Sequence, residues 1–152
     1  LTTIFPEARL KTFIEMRGAD GGPWRSLCAL PAFWVGLCYN HSSLDAAYDL
    51  VKTWTPETRE ELRVEAADKG LNGKVGNIRI SGLAKEVVEI ASEGLKARSV
   101  PSHNSKYIDE THFLDEIKEV VDSERTAADK LIELYNNDWC GDISKVFDQH
   151  SY

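Results

Sequence analysis

An acid and a base, Glu15 and Arg17, lie two residues apart just before the glycine-rich segment "GADGGP". A carboxylate is the kind of hard oxygen ligand that Mg²⁺ prefers, and a guanidinium can donate two parallel hydrogen bonds to phosphate oxygens. Held side by side, the two groups could grip opposite ends of a magnesium–polyphosphate complex. The alternative is a simple ion pair on a solvated face, which stabilises a protein by only about 0–1 kcal/mol. The spacing alone leaves both interpretations open.

The residues around this pair alternate in the manner of a β-strand. Period two over "RLKTFIEMR" predicts one strand from Arg9 to Arg17, with Glu15 and Arg17 on the same face and about 7 Å apart. A single strand cannot satisfy its own backbone hydrogen-bonding groups. We therefore expect its partner strands to come from residues absent from this chain or from another copy.

The rest of the chain has the periodicity of helices. Trp24 to Tyr39 is apolar on nearly every side, which predicts a buried helix, kinked at Pro31 because proline lacks the N–H that the helix needs. The fold class predicted is mainly α, with one or two β-strands and about six helices. The other predicted features are a helix capped by Ser43, a helix started by Thr55 and Pro56, a loop from Lys69 to Gly82 with an extended piece at Asn77–Ile80, a helix from Leu83 to Arg98, and a helix opened by a Thr126–Asp129 capping box.

Composition limits the classes of function. The 152 residues suffice for one domain, and the net charge of −7 argues against a nucleic-acid or anionic-membrane surface. The longest apolar run, Leu27 to Tyr39, is shorter than the roughly 20 residues that a bilayer requires. The three cysteines are too few and too irregular for a disulfide framework or a zinc site, so we expect a cytoplasmic protein.

Several segments together resemble a known family. "FPEARLKTFIEMRGADGGPWRSLCALPAFWVGL", "WTPETREEL", "RTAADKLIELYNNDW" and "VFDQHSY" resemble the C-terminal part of the plant and α-proteobacterial type of glutamate–cysteine ligase. The likeness runs from end to end, and its first block is long and rich in Trp, Pro and Gly. It implies that residues 1–152 form one unit, the C-terminal portion of a larger catalytic domain with a glutamine-synthetase-like α+β fold.

The resemblance also implies an activity. Such ligases use ATP and Mg²⁺ to join the γ-carboxyl of L-glutamate to the amine of L-cysteine through a γ-glutamyl phosphate, the first step of glutathione synthesis. By this similarity Glu15 would be a Mg²⁺ ligand, and Arg17 would be a catalytic residue that contacts the γ-phosphate of ATP. Lys11 and Arg25 are further candidates for phosphate contacts, with surface exposure or helix packing as the alternatives. The partners implied are glutamate, cysteine, ATP and a missing N-terminal portion of the chain, without which this segment is expected to be inactive.

Two rival functions stay open at this stage. One is a different γ-glutamyl or carboxylate–amine ligase of the same superfamily, because nothing in these residues identifies the amine acceptor. The other is a non-catalytic helical interaction module that keeps the "EMRGADGGPW" block for packing alone.

Overall fold

A computed structural model describes residues 7–19, 21–100 and 109–150, which form seven α-helices and two short antiparallel strand pairs. The mainly α fold class is confirmed. The polar segment "RSVPSHNSKYIDE", whose sequence has no helix or strand periodicity, falls largely outside the described residues. In chain order the elements are β1 (Ala8–Leu10), β2 (Ile14–Met16), α1 (Trp24–Cys38), α2 (His41–Val51), α3 (Pro56–Lys69), a 3₁₀ turn (Gly70–Asn72), β3 (Lys74–Val75), β4 (Ile78–Arg79), α4 (Ile80–Ala97), a second 3₁₀ turn (Thr111–Leu114), α5 (Asp115–Ser123), α6 (Ala127–Asn136) and α7 (Lys145–Gln149).

The first strand pair corrects the prediction of one strand from Arg9 to Arg17. The chain reverses between β1 and β2, and the two strands pair antiparallel with each other, Leu10 opposite Ile14 and Arg9 opposite Glu15. The expectation that the partner strand comes from residues absent from this chain or from another copy is therefore also wrong, since β1 and β2 pair with each other. The alternation of side chains survives the turn because a hairpin keeps facing residues on the same side of its sheet.

The helical core forms where α1 crosses α4. Gly36 and Gly94 lie at the crossing, and a Cβ on either would overlap a backbone carbonyl of the facing helix. The missing side chains let the two backbones approach closely, so that small and branched residues can close the core around them. The buried cluster consists of Ala32, Leu37, Ala91, Leu95 and Leu114.

The helix starts follow local capping chemistry, with one correction. Thr55 accepts a hydrogen bond from the N–H of Thr58, which confirms the predicted start of α3. The cap of α2 is Asn40, whose side chain accepts from the N–H of Ser43, so Ser43 itself is not the cap as predicted. The Thr126–Asp129 capping box at the start of α6 is confirmed.

The glycine-rich segment is more ordered than predicted. Instead of a loop from Lys69 to Gly82, it contains a 3₁₀ turn, the β3–β4 hairpin and the beginning of α4 at Ile80. The hairpin turns at Gly76 and Asn77, and Gly76 has φ of 55°, which glycine adopts without strain. Pro31 lies inside α1, which continues on both sides of it. Within the described ranges, no helix combines the length and apolar character needed to cross a membrane.

Candidate functional site

The β1–β2 hairpin gathers two guanidinium groups around one carboxylate oxygen. Arg9 donates from Nε to Oε2 of Glu15 at 2.7 Å, and Nη2 of Arg9 lies 2.7 Å from the same oxygen. Nη1 of Arg17 lies 3.6 Å from it. The predicted neighbours Glu15 and Arg17 therefore do lie together, and Arg9 joins them from the facing strand.

The backbone of the hairpin determines this grouping. Arg9 lies directly opposite Glu15 in the strand register, and Arg17 follows Glu15 by two residues on the same face. The N–H of Arg17 donates to the carbonyl of Glu7 at 2.8 Å, which extends the ladder by one bond beyond β2. The charged cluster thus stands on hydrogen-bonded backbone, which is a more precise support than a loop.

The two faces of the hairpin differ sharply. Opposite the charged face lies an apolar one, where Leu10 is 81% exposed and Ile14 is 65% exposed. The charged side chains are better covered, since the side chain of Glu15 is only 31% exposed and that of Arg17 only 25%. The guanidinium groups therefore shelter the carboxylate from solvent while the apolar face stays open.

The electrostatics of the cluster keep Glu15 ionised. Burial, the largest single influence, raises the pKa of this carboxyl, but the hydrogen bond and charge of Arg9, with the charges of Lys11 and Arg17, outweigh it and leave the pKa lowered. An ionised carboxylate is the form that binds a metal cation.

The capacity of the cluster for metal is limited to one carboxylate. No group of three or more His, Cys, Asp or Glu side chains suited to a metal ion occurs within residues 7–19, 21–100 and 109–150. Mg²⁺ in proteins is often held by only one or two carboxylates, with water and substrate phosphates completing its octahedron. Glu15 fits the role of one such ligand and cannot form a complete site alone.

The two weaker candidates lie in different places. Lys11 is exposed in the turn between β1 and β2, with Nζ 5.7 Å from the ring centroid of Phe13, and its charge reaches Glu15. Arg25 lies in the first turn of α1, and no hydrogen bond or ion pair between described residues joins it to the hairpin cluster.

Arg25 faces a different set of elements. It lines a cavity of about 220 Å³ between the start of α1 and the start of α5, together with Trp24 and Phe113. Beside it, the hydroxyl of Ser26 donates to Oε1 of Glu116 at 2.8 Å. The structure thus unites Glu15, Arg17 and Lys11, and it leaves Arg25 near α5.

Arg9 was not among the site residues predicted from the sequence. The alternation placed Arg9 on the same face as Glu15, but a continuous strand would have separated them by about 20 Å at 3.3 Å per residue. The reversal after Leu10 brings them into contact instead. The only signal in the sequence was the excess of basic residues on that face.

Comparison with known families decides the classification of the chain. The family model described as glutamate-cysteine ligase family 2 matches residues 1–149. The chain belongs to this family. The match includes the hairpin, all seven described helices and the α1–α4 core, so the membership does not depend on the charged cluster alone.

Individual relatives of the chain support the same family assignment. It is 47% identical over 152 residues to the chloroplastic glutamate–cysteine ligase of Nicotiana tabacum and 46% identical to that of Arabidopsis thaliana. The corresponding protein of Solanum lycopersicum is 45% identical. Each alignment covers 100% of this chain and 28% of the relative, so the chain spans little more than a quarter of the length of these proteins.

The same names overturn the prediction of a cytoplasmic protein. The relatives of this glutamate-cysteine ligase family 2 chain are named as chloroplastic. The prediction failed because the low cysteine count excludes a disulfide framework without distinguishing one compartment from another.

Proposed function

We propose that this chain is part of an ATP- and Mg²⁺-dependent glutamate–cysteine ligase, which joins the γ-carboxyl of L-glutamate to the amine of L-cysteine as the first step of glutathione synthesis. The observation that carries the proposal is the family match over residues 1–149, which coincides with a charged cluster suited to a metal–polyphosphate complex. Relatives across the whole length of the chain are named for this activity.

The proposed position of the chain is the C-terminal portion of the catalytic domain. Its partner would be the N-terminal portion of the same polypeptide, which would supply the glutamate and cysteine pockets and further metal ligands. The open apolar face of the hairpin, with Leu10 at 81% exposure, supports a docking surface of this kind. In the intact fold the β1–β2 hairpin would lie in a glutamine-synthetase-like α+β sheet.

Within the site, Glu15 would be the metal ligand and Arg17 the catalytic residue. Bound Mg²⁺ would neutralise negative charge on the phosphates of ATP. Arg17 would donate to the γ-phosphate and remain in contact with it as the phosphoryl group moves to the glutamate γ-carboxylate. Cysteine's amine would then displace phosphate from the γ-glutamyl phosphate.

Electrostatics explains why the carboxylate substrate needs these groups. Two like charges 4 Å apart repel each other by about 4 kcal/mol at an effective dielectric constant near 20. A guanidinium on the γ-phosphate lowers this repulsion where the two anions must meet. Lys11, exposed at the hairpin turn, would add a third positive charge at the phosphate chain. Arg25, at the start of α1, would be a further candidate for a contact with the nucleotide.

The test is turnover by the intact protein and two matched pairs of variants. Arg17→Gln and Glu15→Gln should each lower ATP-dependent, cysteine-dependent phosphate release by ~10²–10³-fold, as loss of a preorganised charge commonly does. Arg125 and Glu133 form an exposed acid–base pair at α6, remote from the hairpin in the chain and with no contact to it among the described interactions, so Glu133→Gln and Arg125→Gln are the controls.

The controls should leave turnover unchanged, because their pair lies outside the hairpin. Retention of turnover within twofold by Arg17→Gln would refute the assignment. Replacement of cysteine by other amines in the same assay identifies the acceptor, and a preference for another amine would favour the rival ligase.

A further inference from the structure

Arg9 makes the closest contact in the hairpin cluster, yet neither its sequence position nor the proposed reaction assigns it a role. Two of its nitrogens, Nε and Nη2, each lie 2.7 Å from the same oxygen of Glu15, whereas Arg17 approaches that oxygen only to 3.6 Å. Arg9 is therefore the main counter-ion of the proposed metal ligand.

The face of the hairpin that carries Glu15 is rich in positive charge. Arg9, Lys11 and Arg17 all act on the single carboxylate of Glu15, so three basic side chains among residues 7–19 surround one acid. The other acid in this described range, Glu7, also acts electrostatically on Arg63 of α3. A basic face on a chain of net charge −7 is a local feature, and it matches a polyanion.

The shared oxygen sets up a competition. A cation bound to Oε2 of Glu15 would displace Arg9, and it would have to approach two guanidinium groups that repel it. A polyphosphate removes this obstacle, because its oxygens offer Arg9 and Arg17 charge-assisted hydrogen bonds in place of the carboxylate. Nucleotide and metal should therefore bind together more readily than either binds alone.

We propose that Arg9 is a second phosphate-binding arginine, which holds Glu15 until a nucleotide arrives and then exchanges the carboxylate for phosphate oxygens. This inference rests on the proposed function of the hairpin as a metal–nucleotide site. It assigns Arg9 a direct contact with the substrate, and it makes metal binding at Glu15 dependent on that contact.

The test is a pair of binding measurements on the intact protein, neither of which requires turnover. Mn²⁺ binding without nucleotide is followed by electron paramagnetic resonance, and binding of a non-hydrolysable ATP analogue at saturating Mg²⁺ is followed by calorimetry. For Arg9→Gln we expect Mn²⁺ to bind at least about tenfold more tightly than to the wild type, because loss of one charge-assisted hydrogen bond changes affinity on that scale. The same variant should bind the analogue at least about tenfold more weakly, for the same reason.

The opposite signs separate this role from a structural one, since general damage to the hairpin would weaken both affinities. Arg125→Gln, which breaks an exposed arginine–glutamate pair at α6, is the control and should change neither affinity. Arg9→Lys keeps the positive charge without the forked geometry. It should therefore strengthen Mn²⁺ binding and weaken analogue binding, each by a smaller factor than Arg9→Gln does. It decides the question alone if Arg9→Gln does not fold.

Other outcomes would count against the role of Arg9 or against the proposed metal–nucleotide site. If wild type binds the analogue and Arg9→Gln changes neither affinity, or lowers both, the role of Arg9 is refuted and the proposed function stands. If wild type binds neither the analogue nor Mn²⁺ in its presence, the proposed site is wrong and this inference fails with it.

Discussion

Replacement of Gly36 by alanine should disrupt the packing of α1 against α4, where the helical core forms. A Cβ at Gly36 would overlap the carbonyl oxygen of Ala91 in α4, and Gly94 makes the reciprocal approach to the backbone of α1. Both obstacles are backbone atoms inside helices, so the strain is relieved only if α1 and α4 separate. Separation would loosen the packing of the core at Leu95, which is 1% exposed.

Gly36→Ala should lower the free energy of unfolding by about 3 kcal/mol. This value is at the upper end of the range for overpacked cores, because backbone moves less easily than a side chain. Gly82→Ala is the matched control, since it makes the same change in α4 with the nearest atom 4.0 Å away. It should stabilise the protein by about 0.5–1 kcal/mol through helix propensity. The assay is urea unfolding of the intact protein, followed by far-UV circular dichroism. If Gly36→Ala changed the free energy of unfolding by no more than Gly82→Ala does, the close approach of α1 and α4 would be refuted.

Three further predictions concern the C-terminal helices. Thr126→Ala should destabilise the protein by about 1 kcal/mol in the same unfolding assay, because it removes the cap of α6. Hydrogen bonds from the hydroxyl and N–H of Thr126 lower the pKa of Asp129. The stability that the ionised Asp129 carboxylate confers is therefore present above about pH 4 and is lost as the pH falls through the lowered pKa. Asp129→Asn should therefore flatten the acid limb of a thermal-unfolding profile between about pH 6 and pH 2.5, and an unchanged slope would contradict the capping box. Trp139 is 2% exposed and donates from Nε1 to Gln149 at 2.9 Å, so Trp139→Phe should cost about 2–3 kcal/mol and Gln149→Ala only about 1 kcal/mol.

Local chemistry made the helix starts predictable. Thr55 with Pro56, and Thr126 with Asp129, satisfy free N–H groups within one turn of helix, so a few adjacent residues contain the whole signal. The α1–α4 crossing was not predictable in the same way, because the reason for Gly36 lies in α4, far along the chain. A glycine in a helix lowers its propensity, and only the facing backbone explains its presence.

The hairpin shows a different limit. Its turn, Lys11 to Phe13, contains none of the Gly, Asn, Asp or Pro residues that mark tight turns, so the alternating pattern was interpreted as one strand. The β3–β4 turn does contain such a signal in Gly76 and Asn77, yet the density of glycines favoured a loop. The Glu15–Arg17 pair followed from spacing, whereas the contact between Arg9 and Glu15 required the strand register.

A structure of the intact protein with Mg²⁺ and a non-hydrolysable ATP analogue would test directly whether Glu15 and Arg17 hold a metal–nucleotide complex between them. We expect a Glu15 oxygen about 2.0–2.1 Å from the metal, the distance typical of Mg²⁺ ligands. We also expect guanidinium nitrogens of Arg17 about 2.7–2.9 Å from γ-phosphate oxygens. Glu15 and Arg17 still paired with each other, with the analogue bound elsewhere, would contradict this expectation.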